Sequence, residues 1–427
     1  MGLFNRKNKK VSNLEEAPLG YWEEASYMMV IPEDNDFEIL PKDIIKKIKG
    51  MKEVTFKDHY FDQDVNTLFV ELKYHEEEYK IGFFSGGFSL PEIYINPSFY
   101  FNEKELEKLK DAKTALTIFM EFSKKAKESF HLQLKIATTL VPNLIGLVDE
   151  SAERLLPAKW ATIAANSTVT PGPSDMFNIH AVYSESGEVW MHTHGLCRCG
   201  LTELEILKSN KDNYKIHYNL INTFASYIID KNGEYNPRKE IAFLGVLSNQ
   251  NPIVAICKSW TEALSYYKKL ELGGIEDREG AHNTRTSPIF LYKTEEDMKQ
   301  DKLSKVTDYD KEWGDNPIFF FSDEETLRMK TLAMERFDYV KDAFKDKDNK
   351  LSIKIGLPFD NGESYEHIWF ELVEFKGKKF KAKLTQEPYN ISDMHVGDEE
   401  WFTVEDVTDW IIFTPKFEIS PKNTYLL

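Results

Sequence analysis

Cysteine is nearly missing. Cys197, Cys199 and Cys257 are the only three in 427 residues. A sparse, odd number builds no disulfide framework and fits a reducing compartment. Long apolar runs are missing as well. The most apolar stretch, Ile136 to Val148, is interrupted by Pro142 and falls short of the ~20 residues of a membrane helix. The opening MGLFNRKNKK has charge but no apolar core, so it is no secretory signal, and Arg6 stands where a myristoylation pattern needs Ser or Thr. Phosphate-cradling glycine loops are absent too. Ser85-Gly86-Gly87 fits neither a dinucleotide fingerprint nor a nucleophile elbow and reads as a turn. Basic residues are outnumbered 54 to 71, a net charge of −17. Such a field repels nucleic-acid backbones and anionic membranes and attracts basic partners. The expectation is a soluble, cytoplasmic protein that binds neither nucleic acid nor membrane, with another protein, basic in character, as its partner.

What is present is enough to fold. Hydrophobic residues make up 41% and aromatics 13%, which supports packed interiors rather than disorder. A chain this long predicts two or three domains. Residues 1–20 read as a flexible basic tail. From Tyr21 strands and helices alternate: a strand at Tyr27–Ile31, a helix at Pro41–Gly50, and strands at Val54–Tyr60, Thr67–Tyr74 and Tyr79–Phe84. Then come a helix over about Ser123–Leu140, a strand at Leu144–Val148 and a short helix at Pro157–Ala165. Pro171-Gly172-Pro173 must be loop. Phe177–Tyr183 and Glu188–His194 predict a hairpin around Ser184–Gly187. Tyr214–Ile229 is amphipathic, and Ser259 to Glu262 is a capping box opening a helix to about Leu270.

These patterns predict an α+β protein, with mixed and antiparallel sheets and packed helices. The first region spans 21–292, with two subdomains at 21–165 and 175–292. Residues 293–322 are charged and predict a linker. Residues 323–427 predict a small α+β domain with an antiparallel sheet.

Chemistry concentrates in Val189–Leu207, VWMHTHGLCRCGLTELEIL. Alternate strand residues share a face, so His192 and His194 point the same way. Cys197 and Cys199 follow, and two nitrogen and two sulfur donors suit zinc. Against this, the spacing is not C-x-x-C, and four ligands within eight residues make a strained chelate. A thiol nucleophile held by His194 and Arg198 is a second possibility. Glu203 and Glu205, two apart on a strand, are the carboxylate candidates. The candidate pocket is Trp190, His192, His194, Arg198, Glu203 and Glu205. An even-length turn would place Phe177, Ile179, Ala181 and Tyr183 on the face of Trp190, His192 and His194, and His180 on the other.

The run from Trp190 to Gly200, with Glu203–Leu207, resembles the bacterial family called domain of unknown function 4026. Asp149–Ala152, Leu155–Pro157 and Trp160 fit the same picture, over most of 21–300. Glu366–Trp369, Gly397-Asp398 and Asp409-Trp410 are similar to domain of unknown function 2314, over about 323–427. These resemblances imply an architecture and a bacterial cytoplasm, but no reaction, cofactor or catalytic residue.

The functional expectation is a non-enzymatic protein-binding or regulatory module, an immunity-like role against a basic toxin being one form. The alternative is a metal-dependent or thiol hydrolase centred on His192, His194, Cys197 and Cys199. Whether the protein is an enzyme stays open, zinc is the one cofactor weighed, and the oligomeric state is not legible.

Overall fold

Apolar residues at every second position make the first sheet one-sided. In β3 (Thr67–Tyr74), Leu68, Val70, Leu72 and Tyr74 are buried, while Glu71 and Lys73 are exposed, as a period of two requires. The computed structural model describes residues 25–94, 97–278, 286–314 and 317–427; the tail read over 1–20 lies outside them. The strands β1 (Ser26–Pro32), β2 (Val54–Asp62), β3, β4 (Glu77–Gly87), β5 (Thr114–Met120), β6 (Leu144–Asp149) and β7 (Arg154–Pro157) form a sheet of order β2-β3-β4-β5-β1-β6-β7. Neighbouring strands in it run antiparallel.

Helices α1 (Pro41–Lys49), α2 (Glu103–Asp111) and α3 (Ala126–Leu140) accompany this sheet. Nearly all of α3 is buried. Its Ser129 hydroxyl lies 3.0 Å from the Tyr79 hydroxyl, and Gln133 donates to the Ser26 and Ile118 carbonyls. Helix α2 leaves no apolar pattern in the sequence, since its seven charges in nine residues mask a single buried Leu109. It starts at a capping box, Asn102 with Glu105, and Leu109 joins Ile31, Ala115, Val148 and Leu155 in a separate apolar cluster.

After α4 (Ala158–Asn166) a second sheet begins. It holds β8 (Asn178–Tyr183), β9 (Val189–His194), β10 (Glu203–Ser209), β11 (Ala242–Val246), β12 (Pro252–Cys257), β13 (Thr286–Tyr292), β14 (Ser304–Lys305) and β15 (Ile318–Phe319). The order is β15-β11-β12-β13-β10-β9-β8, with β14 beside β13. Only β10 with β13 is parallel. Helix α5 (Tyr214–Asp230) presents Leu220, Ile221, Phe224 and Ile228 to the interior. The helix expected to reach Leu270 is shorter: α6 is Trp260–Ala263, capped by Ser259, and a 3-10 turn follows.

The stretch 293–322, which its charge marks as a linker, carries structure. It contains α7 (Glu295–Lys299), β14 and β15, and Val306, Tyr309 and Trp313 are buried. Three well-spaced apolar anchors hold a stretch whose average composition is polar.

Two compact units divide the chain. One runs up to Pro157 and resumes over Pro171–Ser322; the other joins Ala158–Thr170 to Asp323–Leu427. The second unit contains α4, α8 (Asp323–Glu335), α9 (Phe337–Ala343) and the strands β16 (Lys350–Phe359), β17 (Ser364–Lys376), β18 (Lys379–Leu384), β19 (Glu399–Phe402), β20 (Val407–Phe413) and β21 (Glu418–Ile419). Its antiparallel sheet has the order β19-β18-β17-β16-β20-β21. Trp410 is fully buried and donates to the Ala333 carbonyl, whereas Trp401 lies at the surface under Lys381. No helix among the described residues is long and apolar enough to cross a membrane.

Candidate metal centre

Strand β9 is buried along its whole length, because β8 and β10 flank it. Its register with β8 is fixed by an odd-length loop. Ser184 donates to the Glu188 carbonyl at 2.9 Å, and Gly187 donates to the Ser184 carbonyl at 3.2 Å. This leaves a three-residue loop, Glu185-Ser186-Gly187, with Gly187 at φ +92°. A turn followed by a left-handed glycine is the usual three-residue hairpin.

The even-length expectation is therefore corrected. His180 pairs directly with His192, and Asn178 with His194. Ile179 and Ala181 oppose Thr193 and Met191, not the histidines. Side chains opposite one another share a face, so Glu205, His192 and His180 form one row across β10, β9 and β8.

This register gathers three imidazoles. One ligand atom from each of His180, His192 and His194 lies within 4.8 Å of the others. The His180 and His194 rings are 4.5 Å apart, and those of His192 and His194 5.0 Å. His192 and His194 are buried and His180 half-buried. Glu153 stands over the pair: its carboxylate oxygens lie 3.4 Å from His194 Nδ1 and 3.6 Å from His180 Nδ1. It ends a 3-10 turn between β6 and β7 in the left-handed region, φ +46°. Burial holds its carboxyl above the ordinary range. Nothing in the local sequence marked Glu153, and His180 was expected on the opposite face; both arrive through pairing and chain reversal.

Of the remaining candidates, Glu205 and Trp190 border His192, while Glu203, Arg198 and the cysteines make other contacts. Glu203 accepts from Thr193 Oγ1 at 2.6 Å and from the Gly195 and Cys197 amides at 2.9 and 3.0 Å. It closes the loop after β9, and burial raises its carboxyl to about 7. Glu205 pairs with Arg278, which also lies over the Trp190 and Trp260 rings. Trp190 packs against His192 with ring centres 4.2 Å apart.

Arg198 turns away from the histidines. It donates to both Asp149 oxygens at 2.6 and 3.0 Å and to the Ser26 hydroxyl and Met176 carbonyl. Arg154 joins the same carboxylate, making a buried ionic knot.

Cys197 and Cys199 are buried but do not join the three histidines. Cys199 reaches the Gly195 carbonyl at 3.7 Å, and burial pushes its thiol up to about 12. A thiol so hard to ionise is a poor nucleophile and a poor ligand.

Three imidazoles are a zinc-type donor set. In a tetrahedral site, donors at ~2.0–2.1 Å from the ion lie about 3.3 Å from one another, so small side-chain rotations close the group. A tetrahedral ion held by these three imidazoles would keep a fourth position for another ligand, as in catalytic rather than structural sites. Glu153 also lines a cleft of ≈ 350 Å³ with Met29, Phe88, Tyr94, Val148 and Glu150.

Fold and site together define a two-unit α+β protein whose first unit carries a buried histidine face. The chain belongs to the DUF4026 family of proteins of unknown function: models of that family's N- and C-terminal parts match residues 26–171 and 179–290. A model described as an uncharacterized protein conserved in bacteria, DUF2314, matches residues 320–419. A Neisseria meningitidis serogroup B protein described as an ankyrin repeat protein is 26% identical over 109 residues, 23% of this chain and 43% of that protein. The chain thus spans less than half of that relative. No solved structure matches it.

Proposed function

We propose that the protein binds a divalent first-row metal ion, zinc foremost, through His180, His192 and His194. The observation that carries this is their convergence from two strands to within 4.8 Å. Neutral imidazole is the commonest protein ligand for such ions. Glu153 supports the reading as the neighbouring carboxylate, able to orient a ligand ring or to occupy the fourth position. Elemental analysis of protein purified without chelator tests it. The expectation is about one metal per chain, lost in His180→Ala and in His192→Ala, and kept in Cys197→Ser with Cys199→Ser. Metal-free wild type that also fails to take up added zinc or cobalt would end the proposal. Equal loss in the cysteine variant would return the ligand set to two histidines and two thiols.

A second reading, a protein-binding or regulatory module, has its own support. The chain is strongly acidic, its ankyrin-described relative suggests protein interaction, and one sheet face carries exposed aromatic rings. An immunity-like role against a basic toxin is one form of it. The two readings are compatible, since they use different surfaces.

A further inference from the structure

The first sheet has one face packed on α3, while part of the other shows a row of aromatic rings. Tyr60 pairs with Phe69, Phe69 with Gly82, Gly82 with Phe119 and Phe119 with Tyr27. The row thus crosses β2, β3, β4, β5 and β1 in register. Ring centres lie 4.9 Å apart for Tyr60 and Phe69, 5.8 Å for Phe69 and Phe119, and 5.3 Å for Phe119 and Tyr27. Gly82 is the one position without a ring, and the Phe119 ring lies across it: a Cβ there would meet Phe119 Cζ at 2.1 Å. Tyr27 and Tyr60 remain 40% and 43% exposed.

A charged row runs beside the rings, offset along the strands. Asp58 pairs with Glu71, and Glu71 with Lys80. Glu121 stands next, because Met120 before it pairs with Ile81. Three carboxylates thus share the row with one ammonium. Asp58 and Glu71 are like charges directly opposed, an arrangement that costs stability unless a cation joins them. The one cation leans onto the rings: Lys80 Nζ lies 5.2 Å from the Tyr60 centre and 4.9 Å from the Phe69 centre.

We propose that this face docks a cationic, arginine- or lysine-bearing segment of a partner protein. Ring faces attract cations, and the adjoining carboxylates supply charge complementarity that a phosphate backbone would oppose. Lys80 shows the rings' capacity for an ammonium from within the chain and competes for the same place. This deepens the protein-binding reading and does not depend on the histidine face.

The test uses full-length protein, with chelator present so that metal plays no part, and a fluorescent peptide of about a dozen alternating arginines and glycines at about 150 mM salt. Tyr27→Ser with Tyr60→Ser should weaken binding about tenfold. Asp58→Asn with Glu71→Gln relieves a repulsion, so it should fold at least as well, yet weaken binding about fivefold. Lys80→Ala should tighten binding about threefold, whereas Lys383→Ala in the second unit, with the same charge change, should not. Unchanged affinity in the ring and acid variants would show that the net charge alone draws the peptide, and would overturn the proposal. So would an oligonucleotide or oligosaccharide that binds through these rings while the peptide does not. Peptide binding seen only after removal of residues 1–20 would assign the face to the chain's own basic segment, and would overturn it equally. If the peptide behaves as expected and the protein proves metal-free, the docking surface stands without the metal centre.

Discussion

Ser209, His217 and Asp310 have the residue types of a nucleophilic triad. Ser209 Oγ lies 2.8 Å from His217 Nδ1, and Asp310 Oδ1 3.2 Å from His217 Nε2. Burial decides their role instead. Ser209 is 1% and His217 0% exposed, so no substrate reaches the hydroxyl. Desolvation lowers His217 to about 4 from an ordinary 6.5 and outweighs the nearby Asp310, itself pushed up by burial. The fold therefore accepts the neutral imidazole. Stability from this residue is whole above pH 6.5 and is lost as pH falls from 6.5 to 4, by at most about 3 kcal/mol. Glu203 has the opposite sign: its raised pKa contributes stability below 4.5 that is lost as pH rises through about 7. The two overlap, so the difference between wild type and His217→Leu isolates the histidine. Urea midpoints should fall more steeply between pH 6.5 and 4 in wild type than in the variant. Parallel curves would mean that His217 does not titrate across folding.

At the scale of the element, one glycine sets the histidine face. Gly187 has φ +92°, and nothing lies within 4 Å of where its Cβ would be. A side chain there meets no steric neighbour and pays only in backbone strain, about 1–3 kcal/mol. Gly187→Val should lower the melting temperature and weaken metal uptake together, because a strained loop loosens the pairing of His180 with His192. If melting falls and metal uptake does not, the register is held by β9 and β10 rather than by the loop. The ionic knot of Asp149, Arg154 and Arg198 works at the same scale. It ties the end of β6 to the turn after β9, and so brings Glu153 close to the histidines.

Across the whole molecule, the division into units cuts across the order of the chain. Helix α4 and the loop after it precede the second sheet in sequence, yet they cluster with Asp323–Leu427. The Ser167 hydroxyl and the Thr168 amide donate to Glu335 at 2.8 and 2.7 Å, which holds that carboxyl below its ordinary range despite burial. A fragment of residues 323–427 therefore lacks part of its own unit. Amide exchange in β16 and β20 should be faster in that fragment than in the full chain. Equal rates would show that residues 158–170 add nothing to the unit's stability.

Periodicity and punctuation in the sequence were enough for most strands and helices and for the α+β class, while motif likeness in the central stretch and near the C-terminal tryptophans pointed to the two families whose models match. Alternation in Leu68–Leu72, Pro142 after α3 and the Ser259 cap act within a few residues, so the local chain carries them. The stretch Val189–Leu207 was also legible as the place to look, since residue types alone single it out. Which of its side chains meet was not legible. His180 entered through the parity of a three-residue loop, Glu153 through a left-handed turn between other strands, and Arg198 left through a buried Asp149 some fifty positions away. Strand pairing joins residues distant in sequence, and a change of one loop residue exchanges the faces of a strand. Composition leaves that choice open, and only the folded chain makes it.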